Sequence, residues 1–139
     1  KKKDCMSNEP YHILLVDDDD VTNFLSREML RLYMASPKVD ITLNGQEAVD
    51  YLLERSSEPQ RLPNLILLDI NMPIMDGWDF LTEFDKIKRS GFEKINIVMF
   101  TSSVYYEDID RARTYASVKN IYSKPLDEQK IKEIIASCS

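Results

Sequence analysis

Five short apolar runs, each followed by a stretch with helical spacing, constrain this chain more than any single motif. The runs are Tyr11 to Val16, Val39 to Leu43, Leu65 to Leu68, Ile95 to Phe100 and Asn120 to Tyr122, the last the least apolar. After the first, Val21, Phe24, Leu25, Met29 and Leu32 fall on one helical face, with Asp19 or Asp20 placed to cap the start and Pro37 to end it. Ala48, Val49, Leu52 and Leu53 mark a second helix, and Phe80, Leu81, Phe84 and Ile87 a third. Ile109, Ala112 and Tyr115 mark a fourth, and Ile131, Ile134 and Ile135 a fifth. A strand with one wet face would alternate apolar with polar residues, and most of these runs do not. They belong to a parallel sheet covered by helices on both faces. The fold class is therefore α/β, a doubly wound five-stranded parallel sheet. A chain of 139 residues has room for one such domain, expected over 11–139, with residues 1–10 a disordered lead-in.

Charge and hydropathy remove several function classes. Eighteen basic residues against 24 acidic ones leave a net charge of −6, the wrong sign for a protein that works by neutralising nucleic-acid phosphates. No apolar run approaches the roughly 20 residues needed to cross a bilayer, so no membrane span is expected. Lys1-Lys2-Lys3 is not followed by an apolar stretch and does not form a secretory signal. Cys5 and Cys138 form no metal- or redox-type cluster and read as two unpaired thiols of a cytoplasmic protein.

Ligands of doubly wound sheets sit beyond the carboxyl ends of the strands. Here those ends are polar. Asp17, Asp18, Asp19 and Asp20 follow Val16, and Asp69 follows Leu68. Asp19 and Asp20 have an adequate role as helix caps. Asp17, Asp18 and Asp69 would stand on adjacent strands, where mutual repulsion raises carboxylate pKa values unless a cation offsets it. Oxygen donors alone, without His or Cys nearby, favour Mg²⁺. Thr101-Ser102-Ser103 after the fourth run adds hydroxyls to the same rim, and Lys124-Pro125 after the fifth adds an ammonium. Together they describe a site that binds a metal, holds phosphoryl oxygens and offers a carboxylate nucleophile.

Four segments then carry a resemblance: Ile13-Leu14-Leu15-Val16-Asp17-Asp18, Leu68-Asp69-Ile70-Asn71-Met72-Pro73-Ile74-Met75-Asp76-Gly77, Phe100-Thr101-Ser102 and Ser123-Lys124-Pro125-Leu126. In their order and spacing the chain resembles the receiver domain of two-component response regulators, the CheY-like family, from about Tyr11 to Ser137. The resemblance implies a flavodoxin-like (βα)5 fold with strand order 2-1-3-4-5. It implies that Asp69 is the phosphoacceptor and that Mg²⁺ is held by Asp18, Asp69 and the main-chain carbonyl of Asn71, with Asp17 acting through water. Thr101 and Lys124 would contact the phosphoryl oxygens. The phosphoryl group would come from a histidine kinase or histidine phosphotransfer protein. The implied role is signalling, with no enzymatic turnover beyond the domain's own phosphotransfer and dephosphorylation. It further implies a cis Lys124-Pro125 bond and a glycine, Gly77, at the loop-to-helix junction.

Two departures bear on signal output. Receivers carry an aromatic three residues before the lysine, whereas this chain has Ile121 there and Tyr122 beside it. The customary Gly-Ala pair is replaced within Ala116-Ser117-Val118-Lys119, so the fourth helix and its exit are expected to be reshaped. A switch through Thr101 would then run by way of the 102–107 loop with Tyr122. The expected partner surface is the face of the fourth helix, fifth strand and fifth helix, where Tyr105, Tyr106, Tyr115 and Tyr122 cluster.

Two other readings use the same residues differently. A haloacid-dehalogenase-like phosphohydrolase would take Asp17 as nucleophile, but it leaves Asp69 and Met72-Pro73 without a role. A phosphorylation-independent interaction module would use the shape alone.

Overall fold

Alternate residues of the central strands face opposite sides of one sheet, and each side is closed by its own helices. The computed structural model describes residues 11–137; the lead-in and both cysteines lie outside the described residues. The strands are β1 (His12–Val16), β2 (Lys38–Thr42), β3 (Leu65–Asp69), β4 (Asn96–Thr101) and β5 (Val118–Ser123). The helices are α1 (Asp20–Tyr33), α2 (Gly45–Arg55), α3 (Gly77–Ile87), α4 (Tyr106–Ala112) and α5 (Glu128–Ala136). All pairings are parallel, in the order β2-β1-β3-β4-β5, so the doubly wound fold and its strand order stand as expected.

Ile13, Leu15, Leu65, Leu67, Val98 and Phe100 pack with Leu30 of α1 and with Leu126, Ile131 and Ile134 at α5. Leu14, Val16, Ile66, Leu68, Ile97 and Met99 pack with α2, α3 and Ala112 of α4. Four helices start on side-chain caps: Asp19, Asn44, Asp76 and Asp127 each accept the N–H three residues on. Asp76 and Asp79 complete a reciprocal capping box at α3, which fixes where the loop after Asp69 ends.

Three local expectations are corrected. Most of the apolar face of α1 does not point inward: Val21, Phe24, Leu25 and Leu32 are 54–69% exposed, and of the expected face only Met29 packs against the core. The buried residues of α1 are Asn23 and Leu30. Asn23 tolerates burial because its Nδ2 donates to the Asp17 carbonyl oxygen at 2.8 Å, and with Leu30 it marks the side of the helix that faces the sheet. Tyr115 lies outside α4, which stops at Ala112 after seven residues and has no side-chain cap. Finally, β5 extends from Val118 and is irregular: Ile97 pairs with Val118 but Val98 with Asn120, leaving Lys119 as a bulge. The reshaped exit of the fourth helix thus appears as a short helix and a bulged edge strand.

Candidate functional site

The carboxyl ends of β1 and β3 are adjacent, with Val16 opposite Leu68, so the next residue of each strand arrives at one rim. That adjacency brings Asp17, Asp18 and Asp69 together: one carboxylate oxygen from each lies within 4.8 Å of the others. Asp17 and Asp69 are buried and Asp18 is exposed. Asp17 is held from both sides, its Oδ1 accepting the Asp19 N–H at 2.9 Å and its Oδ2 accepting from Lys124 Nζ at 2.8 Å. The same ammonium lies 3.2 Å from Asp69 Oδ1.

Burial pushes the Asp69 carboxyl up to about 6, with the Asp17 charge adding to it and Lys124 opposing it. For Lys124, burial alone would lower the pKa, but the hydrogen bond and charge of Asp17 and the charge of Asp69 outweigh it, and the net shift is upward. The ammonium therefore stays charged between two acids. The cluster carries more negative charge than one cation neutralises, which is the condition under which a divalent ion binds.

Lys124 is delivered by β5 and a cis Lys124-Pro125 bond, as expected. Its backbone N–H donates to the Thr101 carbonyl at 2.8 Å, tying the ends of β4 and β5. Thr101 is buried, and its hydroxyl donates to the Ser103 carbonyl at 3.2 Å, within its own loop. Asn71 is exposed in the loop after Asp69 and lines, with Thr101, Ser102 and Ser103, a hollow of about 400 Å³. A smaller hollow of about 90 Å³ reaches Asp17, Asp69 and Lys124 from the other side, between Leu25 and Ser26 of α1 and Pro125-Leu126.

Gly77 matters through proximity. A Cβ there would meet the Asp69 carbonyl oxygen at 2.6 Å and Ile70 Cα at 2.9 Å, so the start of α3 presses directly on the backbone of Asp69.

Ile121 and Tyr122 separate across the sheet. Ile121 packs on the side of α3 and α4, and Tyr122 on the side of α1 and α5. The Tyr122 ring packs tilted against Phe100 with centroids 5.6 Å apart, and its hydroxyl donates to Glu133 of α5 at 3.1 Å. Tyr105 and Tyr106 are exposed, whereas Tyr115 stacks on Trp78 at 6.1 Å. The Arg111 guanidinium also lies over the Trp78 ring, 4.5 Å from its centroid. This stack joins the start of α3 to α4, and periodicity had no means of pairing residues so far apart. Asn23 was also missed, because a polar residue inside a helical pattern gives no sign that it is buried.

The family model of the response regulator receiver domain matches residues 13–136. A chemotaxis protein CheY from Treponema pallidum is 30% identical over 128 residues, covering 92% of this chain and 82% of its own. A probable methanogenesis regulatory protein, FilR2, from Methanothrix harundinacea is 28% identical over 130 residues, covering 93% and 81%. A crystal structure of a two-component response regulator from Cytophaga hutchinsonii matches with a TM-score of 0.85 at 28% identity, covering 91% and 95%. The Mn²⁺-bound form of response regulator Rcp1 matches with a TM-score of 0.70 at 26% identity, covering 91% and 89%.

Proposed function

This chain belongs to the response regulator receiver domain family, and from that premise we propose that it takes a phosphoryl group on Asp69 and relays it as a change of shape. The observation that carries this is the position of Lys124 Nζ, 3.2 Å from a buried carboxylate whose pKa is raised to about 6. A carboxylate so placed is a stronger base than an ordinary aspartate and still ionised at neutral pH. A histidine kinase or histidine phosphotransfer protein is the donor. An oxygen of Asp69 attacks phosphorus, the P–N bond to the donor imidazole breaks, and the imidazole leaves with that bonding pair. The product is an acyl phosphate on Asp69. Lys124 then pairs with a phosphoryl oxygen, and the Thr101 hydroxyl gives up Ser103 to donate to another.

The donor set of Asp17, Asp18 and Asp69 is all oxygen, which fits a hard divalent cation, and the Mn²⁺-bound Rcp1 relative agrees with that choice. Mg²⁺ would be held by Asp18, Asp69 and the Asn71 main-chain carbonyl, with Asp17 acting through water. When bound, it supplies positive charge against the phosphoryl oxygens.

The exposed ridge of Val21, Phe24, Leu25 and Leu32 starts at the rim beside Asp17 and runs away from it along α1. A helix of the phosphodonor protein laid on this ridge would bring its end, and a histidine near it, toward Asp69. The downstream partner takes the face of α4, β5 and α5, where Tyr105 and Tyr106 stand out. Output runs from Thr101 through the 102–107 loop.

Intact mass after treatment with acetyl phosphate, with and without Mg²⁺, tests the reading. We expect one acid-labile phosphate, dependent on Mg²⁺ and absent in Asp69→Asn. Phosphate retained in Asp69→Asn but lost in Asp17→Asn would move the nucleophile to Asp17. No phosphate under any condition, with partner binding intact, would leave an interaction module.

A further inference from the structure

Asp18 is the exposed acid of the cluster, and among the described residues its side chain makes no hydrogen bond or ion pair. Nothing but its own rotamer and the backbone from Asp17 to Asp19 places that carboxylate. The backbone there is closed on both sides of Asp18. The Asp17 N–H donates to the Thr42 carbonyl at 3.1 Å, and the Asp19 N–H donates to Asp17 Oδ1 at 2.9 Å.

Asn23 joins the two ends of this turn. Its backbone N–H donates to the Asp19 carbonyl at 3.0 Å, as any helical N–H does to the residue four before it. Its side-chain Nδ2 reaches further back, to the Asp17 carbonyl at 2.8 Å. Asn23 is 3% exposed on the side of α1 that faces the sheet, where apolar residues ordinarily pack and where Asn is a poor helix former. A buried amide is tolerated only with a partner. The partner here is the carbonyl of the peptide that joins Asp17 to Asp18. Because that peptide is planar, holding its oxygen fixes the plane, and with it the direction in which the chain enters Asp18.

We propose that Asn23 is a positioning residue for the metal site. It bonds to none of the three carboxylates, and acts by holding the Asp17-Asp18 peptide so that the Asp18 carboxylate stands with those of Asp17 and Asp69. The assignment rests on the reading of these three acids as a divalent-cation site. A ligand oriented before the cation arrives loses less freedom on binding it, so a partner behind the ligands sets affinity without touching the ion.

The test is direct binding of Mn²⁺ alone, followed by the paramagnetic resonance of the free ion. Asn23→Leu keeps the volume and removes the amide, and it should bind Mn²⁺ about 10–100-fold more weakly than the wild type. Asn23→Ala, which introduces no clash, is the second variant, with the same loss expected. Leu30→Val alters the other buried residue of α1 and controls for a general loosening of the helix; its affinity should stay within about twofold. With acetyl phosphate as donor, either Asn23 variant should need more Mg²⁺ for half-maximal rate by the same factor, and reach a saturated rate within about twofold of the wild type. Unchanged Mn²⁺ affinity in a folded Asn23 variant would overturn the proposal, as would an equal loss in Leu30→Val. A saturated rate that fell with the affinity would also overturn it, by moving the role of Asn23 to the phosphoryl step. A wild type that bound no Mn²⁺, or bound it no better than Asp18→Ala, would defeat the metal-site reading and this assignment with it. Binding lost in Asp18→Ala but kept in both Asn23 variants would defeat this assignment alone.

Discussion

Lys124 Nζ lies 3.2 Å from Asp69 Oδ1 and 2.8 Å from Asp17 Oδ2, so one ammonium serves two buried carboxylates. Its charge is what holds the Asp69 pKa as low as about 6. In Lys124→Met that opposition is gone, and the pKa should rise above 6. Carboxyl ¹³C shifts followed against pH in metal-free buffer read this directly, and a pKa that stayed put or fell would contradict the arrangement.

A carboxyl whose folded pKa exceeds its unfolded value binds more protons when folded, so its ionisation costs stability as pH rises. For Asp69 the window runs from about 4, the unfolded value, to about 6. In EDTA, Asp69→Asn should be more stable than the wild type above pH 6, by up to about 3 kcal/mol less what Lys124 loses as a partner. That advantage should fade toward pH 4. Mg²⁺ should raise the melting temperature of the wild type and much less that of Asp18→Ala. Denaturant midpoints across pH, with and without metal, check both statements.

Gly77→Ala should be costly despite a favourable helix propensity. The added methyl would sit 2.6 Å from the Asp69 carbonyl oxygen, so the backbone of the phosphoacceptor has to move. A loss of about 1–3 kcal/mol is expected, together with slower phosphorylation by a small donor. A variant as stable and as fast as the wild type would show that the contact relaxes without consequence.

Ile74 is a β-branched residue with φ +69°, in the left-handed region, and it is 82% exposed. Nothing buried is lost by removing its side chain. Ile74→Gly should therefore gain about 1 kcal/mol in denaturant unfolding, and a destabilised variant would mean that the side chain has a contact role worth more than its strain.

His12 offers a second pH dependence, of opposite sign. Its ring Nε2 lies 2.7 Å from the Tyr51 hydroxyl and 3.2 Å from Asp40, and burial keeps its pKa below the usual value, against the pull of Asp40. Lys38 and Arg55 add to the lowering. The folded chain thus binds this proton less readily than the unfolded one, and the contribution is lost as pH falls below about 6.5. The difference in stability between wild type and His12→Gln should shrink on acidification. Because Asp69 acts in the reverse direction over an overlapping range, only such differences isolate either group.

Sheet and rim were legible because each depends on local pattern: apolar runs too short for helices, a cap at Asp19, and acids, hydroxyls and an ammonium directly after strands; the strand order came from the family resemblance. The meeting of Asp17, Asp18, Asp69 and Lys124 follows once the strand order is given. What periodicity could not supply was rotation and long-range pairing. The ridge of α1 reads as a core stripe by spacing alone, yet the helix buries Asn23, bonded to the Asp17 carbonyl, and Leu30 instead. Tyr115 reads as helical, yet it lies beyond α4, stacked on a tryptophan 37 positions earlier in the chain.

Counting sides along β5 from Val118 would put Tyr122 beside α4 and send Ile121 to the opposite face. The extra residue at Lys119 reverses that parity, and the aromatic ring ends up with α5. A single inserted position therefore acts on the strand as a frameshift does on a message, leaving every downstream letter intact while changing which face of the sheet reads it. Which face Ile121 and Tyr122 take is thus set by the backbone upstream of them and not by either side chain.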